Sequence, residues 1–447
     1  MHIGPGQASG SDIHLIDWLK SKRRCALQQL AQHSTGEHTK GGRCVQISES
    51  IVTALPMSSS IRRGKRAVRR LILPRSPVRE NFVRPSGKIV VAGMFRTANG
   101  IGRAALSCYR ALREEGLSPI AVDLSEMFNQ VDVSSEAPLE DMPLGGNGTL
   151  ILFANAPETE RALIGLGLRR WHKWRVIGAW AWELSIVPAD WSRQTGFLSE
   201  IWAPSRFVQQ AFQDAFSLPV KNVPHVVPLQ MHAKAWPTPA NRGDTTLRVL
   251  ATADGRSSLH RKNLLATMQM FSNAFPAHEA VHLTVKCRNL SLYKQYEAAV
   301  MAFAESDPRI DVIDRSFTEE EQTHLLWNSD IVMSSHRSEG FGMHLAEAMA
   351  AGRATIATGW SGNLEFMTQD NSRLLPFVLK PVSDPTGTYD ALPGAMWAEV
   401  DIDAGARALR ELRESPERRN ALASRSRADL KSSLRARAYS EALGICL

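Results

Sequence analysis

The chain has 447 residues, 43% of them hydrophobic and 22% charged, with a formal net charge of +8. That length accommodates two domains of ordinary size plus extensions, and the balance is that of a globular protein. No run approaches the ~18 apolar residues of a membrane-spanning helix. The first residues lack the basic-then-apolar order of a signal peptide. Five scattered cysteines without metal-ligand spacing point to reduced thiols and a cytoplasmic setting.

Residues 1–86 read as a basic, partly disordered N-terminal extension with few strand-like runs. Between Ile61 and Arg79, Arg62, Arg63, Lys65, Arg66, Arg69, Arg70, Arg75 and Arg79 carry as much charge as the whole net excess. The rest of the chain is therefore near neutral, which argues against nucleic acid as a partner. Val68, Leu71 and Ile72 give this segment an apolar side before Pro74. Segment 61–79 would suit peripheral contact with an anionic membrane at its inner face, with a solvated tail as the alternative.

A first domain is expected over 87–232. Lys88–Gly93 reads as a buried strand, and Asn99-Gly100-Ile101-Gly102-Arg103 opens a helix to about Glu115, with Gly116 as its C-cap. Ile120–Asp123, Thr149–Phe153, Arg175–Trp180 and Glu200–Ala203 read as further strands separated by helical patterns. Val223-Pro224-His225-Val226-Val227 closes the domain, and the Pro- and Gly-bearing 230–245 reads as the linker. A second domain is expected over 246–415, beginning with the strand Leu247–Thr252. Helices follow over 416–447. Alternation of strand and helix predicts an α/β architecture with parallel sheets.

The most informative stretch follows the strand Asp330–Ser335: Ser338-Glu339-Gly340-Phe341-Gly342-Met343-His344-Leu345-Ala346-Glu347, then Ala354–Ala357 as the next strand. This is one βαβ crossover. Its glycines admit close approach of a ligand, and its helix N-terminus offers free N–H groups to an anion. Carboxylates at Glu339 and Glu347 flank that point and accept hydrogen bonds from sugar hydroxyls. A nucleotide-sugar has the matching order of sugar, diphosphate and ribose. Two metal signals fail on context. His278-Glu279-Ala280-Val281-His282 has its second histidine inside a predicted strand, and Asp401-Ile402-Asp403 reads as a helix N-cap.

The E-x7-E unit, with Glu-Ala-Met-Ala-Ala-Gly behind it, resembles the donor site of glycosyltransferase family 4. So do the Gly100/Gly102 loop, the Val-Pro-His phrase and Asp254-Gly255-Arg256-Ser257-Ser258-Leu259-His260-Arg261-Lys262-Asn263. Trp182-Glu183-Leu184 to Trp191 and Gly359-Trp360-Ser361-Gly362-Asn363 are similar to its bacterial cell-surface polysaccharide branch. The resemblance implies the GT-B fold, two Rossmann-like domains facing across a cleft, with the last helices crossing back to the first domain. It implies that Glu347 holds the ribose, Glu339 the transferred sugar, and Gly340, Phe341, Gly342 and Met343 the phosphates or sugar through their backbone. Gly100 and Gly102 would face the donor phosphates. Lys262 and Arg256 would stabilise the leaving diphosphate, with Lys286 secondary and Arg261 turned to structure or solvent. On the acceptor side, Glu183 would orient or deprotonate the hydroxyl and Trp182 would stack on a sugar. The family's usual histidine near this point is missing. Neither metal nor other cofactor is expected.

The implied activity is retaining transfer of a mannose- or glucose-type hexose from a nucleotide-diphosphate sugar. The acceptor would be a glycan or lipid-linked glycan in polysaccharide biosynthesis. The rivals are a nucleotide-binding scaffold without turnover and an epimerase or phosphorylase on the same fold.

Overall fold

The computed structural model describes residues 87–227, 245–389, 392–434 and 438–445. The N-terminal extension, its basic segment and most of the expected linker lie outside them.

The first sheet is built from β1 (Lys88–Gly93), α1 (Gly100–Glu114), β2 (Ile120–Asp123), β3 (Gly148–Phe153), α2 (Ala156–Gly165), α3 (Leu168–Trp171), β4 (Arg175–Ala179), β5 (Glu200–Ala203), α4 (Arg206–Ala215) and β6 (Val220–Asn222). Its strand order is β2-β1-β3-β4-β5-β6, all parallel. The strands are apolar because both faces are covered. Val90 and Ala92 point into a core with Leu150, Trp171 and Trp174, while Ile89 and Val91 point into another with Ile151, Trp202 and Tyr439. Asn99 starts α1 by accepting from the Gly102 N–H at 2.8 Å, and Gly116 follows its end at φ +81°.

The second sheet comprises β7 (Leu247–Asp254), α5 (Leu259–Lys262), α6 (Leu264–Ala274), β8 (Val281–Arg288), α7 (Lys294–Ser306), β9 (Ile310–Asp314), α8 (Glu319–Trp327), β10 (Ile331–Ser334), α9 (Met343–Ala350), β11 (Ala354–Thr358) and β12 (Arg373–Leu375). Its order, β12-β11-β10-β7-β8-β9, reverses direction between β7 and β10. In such sheets ligands bind beyond the strand C-termini at that reversal. The 254–263 phrase and the E-x7-E loop both leave the sheet there. A two-stranded antiparallel hairpin, β13 (Phe377–Pro381) and β14 (Met396–Val400), is appended.

Among the described residues the last three helices are α10 (Ile402–Glu414), α11 (Pro416–Ser433) and α12 (Ala438–Leu443). Asp401 caps α10 by accepting from the Ala404 N–H at 2.9 Å. Helix α11 stays on α9 and β11 of the second sheet. Helix α12 packs on the first: Tyr439 and Leu443 enter its core, and Lys221 donates to the Ala442 carbonyl. His282 lies in β8 and pairs with Asp311 at 3.1 Å, so the His-Glu-x-x-His spelling sits on a turn and strand rather than a helix. Among the described residues no helix is long and apolar enough to cross a membrane.

Candidate active site

The loop between β10 and α9 is fixed from beneath. Ser335 Oγ donates to the Asn263 carbonyl, and the Arg337 guanidinium binds Glu399. The Glu339 N–H donates to Ser361 Oγ at 2.7 Å, and the Gly362 N–H returns to the Glu339 carbonyl. Ser205, from the first domain, donates to the Gly340 carbonyl at 2.6 Å. These bonds hold the Glu339 side chain in a buried setting, where a lone carboxylate would be costly. Two cations meet it. Lys262 Nζ lies 2.5 Å from Oε1 and Arg261 Nη1 3.2 Å from Oε2. Burial alone would raise the Glu339 pKa, but these cations hold it well below the usual carboxylate range. Burial lowers Lys262 from the ordinary lysine value, against the opposing pull of Glu339.

Glu183 comes from the first domain to the same cluster. Its Oε2 accepts from the Tyr389 hydroxyl at 3.0 Å, and its Oε1 lies 3.9 Å from Arg261 Nη2. Helix α9 starts at Gly342, which takes φ +89°, and no side chain caps it. Glu347, one turn in, is partly buried, its side chain 13% exposed, and pairs with Arg103 across the cleft at 2.6 Å. A cavity of about 560 Å³ opens beside this pair. Thr97, Gly102, Arg103 and Asp132 wall it from the first domain, and Lys286, Phe317, Met343 and Glu347 from the second. That volume is in the range of small-molecule sites. The Lys286 ammonium borders it, 5.0 Å from the centre of the Phe317 ring.

The structure thus brings together Glu339, Lys262 and Glu183, with Glu347, Met343, Gly102 and Lys286 along the adjoining cavity. The expectations for Trp182, Arg256, Arg261 and Gly100 are revised. Trp182 is a packing residue: its ring is buried between Trp191 and Tyr389, and its Nε1 donates to the Ile186 carbonyl, so no face is left for a sugar. Arg256 is half-exposed and faces Asp132 at 3.7 Å, whereas Arg261, expected to turn away, is buried against Glu339. Gly100 is exposed and is not among the cavity walls. Gly102 is small because a Cβ there would meet the Met94 carbonyl at 2.5 Å. The Phe341 ring packs on His225 and Phe366, leaving only its backbone to the site.

Arg103, Asp132, Arg288, Phe317, His344 and Tyr389 were not singled out from sequence. Arg288 bridges Asp254 at 2.6 Å and Asp132 at 2.9 Å across the cleft. Burial pushes His344 down to about 3, so it is neutral at ordinary pH. Arg103 could have been found, since it follows the Gly100/Gly102 loop by one residue. Tyr389 lies in the β13–β14 connection, which has no motif.

Paired sheets with their switch point at a shared cleft, and a carboxylate–cation cluster beside a nucleotide-sized cavity, define a GT-B α/β enzyme. The model of family 4 glycosyltransferases in conflict systems matches residues 206–443, more than half of the chain, and the chain belongs to that family. It is a glycosyltransferase. No curated protein matches the chain by sequence. Among solved structures it is similar to Anabaena Alr3699/HepE in complex with UDP and glucose, with TM-score 0.57 and 12% identity over 80% of this chain and 98% of that one. A glycosyltransferase from Rickettsia africae gives 0.53 and 12% over 80% and 97%. WaaG, a glycosyltransferase involved in lipopolysaccharide biosynthesis, gives 0.52 and 12% over 79% and 98%. At such identities the likeness speaks for the fold.

Proposed function

We propose that the enzyme transfers a hexose, with retention, from a nucleotide-diphosphate sugar to a hydroxyl of a glycan or glycolipid. The carrying observation is Glu339 held between Lys262 and Arg261 at one end of α9, with Glu347 beside the cavity one turn on. In this reading the nucleoside occupies the cavity, with Phe317 along the base and Glu347 on the ribose. The diphosphate meets the uncapped N-terminus of α9, where free N–H groups and the helix dipole favour negative charge. Lys262 and Arg261 neutralise charge building on the leaving phosphate, and Glu339 accepts from hydroxyls of the transferred sugar. No step calls on a metal or other cofactor. The leaving phosphate oxygen, on the same face as the incoming hydroxyl, takes its proton, and Glu183 orients that hydroxyl. Anabaena HepE, solved with UDP-glucose, supports a nucleotide-sugar as the donor class. WaaG is involved in lipopolysaccharide biosynthesis, a setting in keeping with the proposed glycan or glycolipid acceptor. The matched family belongs to conflict systems, a setting that leaves the acceptor to be identified.

The test is donor turnover followed by NMR, using UDP-glucose, UDP-N-acetylglucosamine and GDP-mannose with and without EDTA. Slow hydrolysis of one donor, releasing the α-anomer first and indifferent to chelator, is expected. First release of the β-anomer contradicts retention, and loss of turnover with EDTA contradicts the role given to Lys262 and Arg261. Nucleotide binding without turnover, even with mixed glycan acceptors, favours the scaffold.

A further inference from the structure

Glu347 is the partly buried carboxylate on which the donor reading rests, and its partner comes from the other domain. Arg103 lies on α1 of the first sheet, and its Nη2 reaches Oε1 of Glu347 on α9 of the second at 2.6 Å. That contact engages Oε1, and the cavity opens beside the same carboxylate.

We propose that Arg103 is the positioning residue of donor recognition, fixing the Glu347 carboxylate for the ribose hydroxyls. The proposal rests on the assignment of Glu347 to the ribose. Burial raises the Glu347 pKa and Arg103 opposes that rise. The other charged groups around Glu347 do not duplicate Arg103. From β8, Lys286 borders the same cavity but sits over the Phe317 ring. On α9 itself, His344 stands one turn earlier and is neutral. Strands β10 and β11 carry no charged residue. Helix α11 brings Arg427 alongside Gly352, just beyond the far end of α9. Around the cavity, Arg110 is engaged with Glu136 and Glu319, and Asp132 with Arg288. Without Arg103, the carboxyl group takes up a proton at higher pH and loses acceptor capacity where the ribose needs it.

The experiment is calorimetric titration of the whole protein with UDP and GDP from pH 5.5 to 8.5, for wild type, Arg103→Leu, Arg103→Lys and Glu347→Gln. Arg103→Leu is expected to weaken the nucleotide that binds by at least about tenfold at pH 7, in line with loss of one partner of a partly buried charge pair. Its affinity is expected to begin falling at a higher pH than that of wild type as the solution is acidified. Arg103→Lys should restore most of both. Glu347→Gln should bind weakly with a flat profile, and adding Arg103→Leu to it should cost little more. If Arg103→Leu matches wild type in affinity and profile while Glu347→Gln loses binding, the proposal falls and the donor reading stands. If Glu347→Gln binds like wild type, or neither nucleotide binds wild type, both fall. A pH-independent loss equal in Arg103→Leu and Arg103→Lys marks a purely structural role and also overturns the proposal.

Discussion

Lys262 is the residue on which charge balance at the site turns. It is largely enclosed, its side chain 11% exposed, and burial lowers its pKa below that of a free lysine while Glu339 resists that fall. The cation therefore loses its proton at a pH below the ordinary lysine value, and the rate should decline on the alkaline side as it does. Lys286, also lowered by burial, titrates in the same direction, so the variant decides between them. Lys262→Arg should carry the alkaline limb to higher pH; Lys262→Met should remove about 10²–10³ from kcat, the scale of one lost electrostatic stabiliser. A pH–rate profile of each variant checks this, and an unmoved limb in Lys262→Arg would assign it elsewhere. At this scale the sequence was partly legible. Lys262, Glu339 and Glu347 stood in phrases whose spacing fixes their place at a strand end or helix start. Arg261 did not, because adjacent residues in a one-turn helix look equally exposed until packing from Ser257, Ser338 and Glu339 encloses one of them. Trp182 misled for a related reason: a tryptophan beside a glutamate at a strand end suits a sugar platform as well as a core, and only Trp191 and Tyr389 decide it.

The element that aims the chemistry is the β10–α9 loop, held by close backbone contacts. A Cβ on Gly362 would lie 2.1 Å from the Gly340 carbonyl, too close for any real atom pair. Gly362→Ala should displace the Glu339 loop and sharply reduce turnover. The effect on folding should be smaller, with the rest of the second sheet intact. Activity beside a thermal melt reads this out; an alanine variant with full activity would show the contact to be slack. Element boundaries were well marked in sequence. Asn99 and Gly116 bracket α1 and Asp401 starts α10, because caps satisfy backbone groups that the helix leaves open. The hairpin β13–β14 and its connection were not foreseen. Val378, Leu379 and Lys380 are exposed there, so the run lacks the alternation that marks a half-buried strand.

On the scale of the molecule, two sheets of six parallel strands meet at a cleft whose sides are joined by ion pairs, Arg103 with Glu347 and Arg288 with Asp132. The two-sheet α/β plan was legible from alternating strand and helix patterns. The cross-cleft pairs were not, since each joins residues more than 150 positions apart. Exclusion of water by such a closed cleft favours transfer over hydrolysis. The most direct test of the central claim, that the E-x7-E unit is a nucleotide-sugar donor site, is a crystal structure with whichever of UDP or GDP binds. The account predicts ribose hydroxyls on Glu347 and the β-phosphate at the N-terminus of α9 within reach of Lys262. A nucleotide ordered elsewhere, with Glu347 and Lys262 untouched, would contradict it.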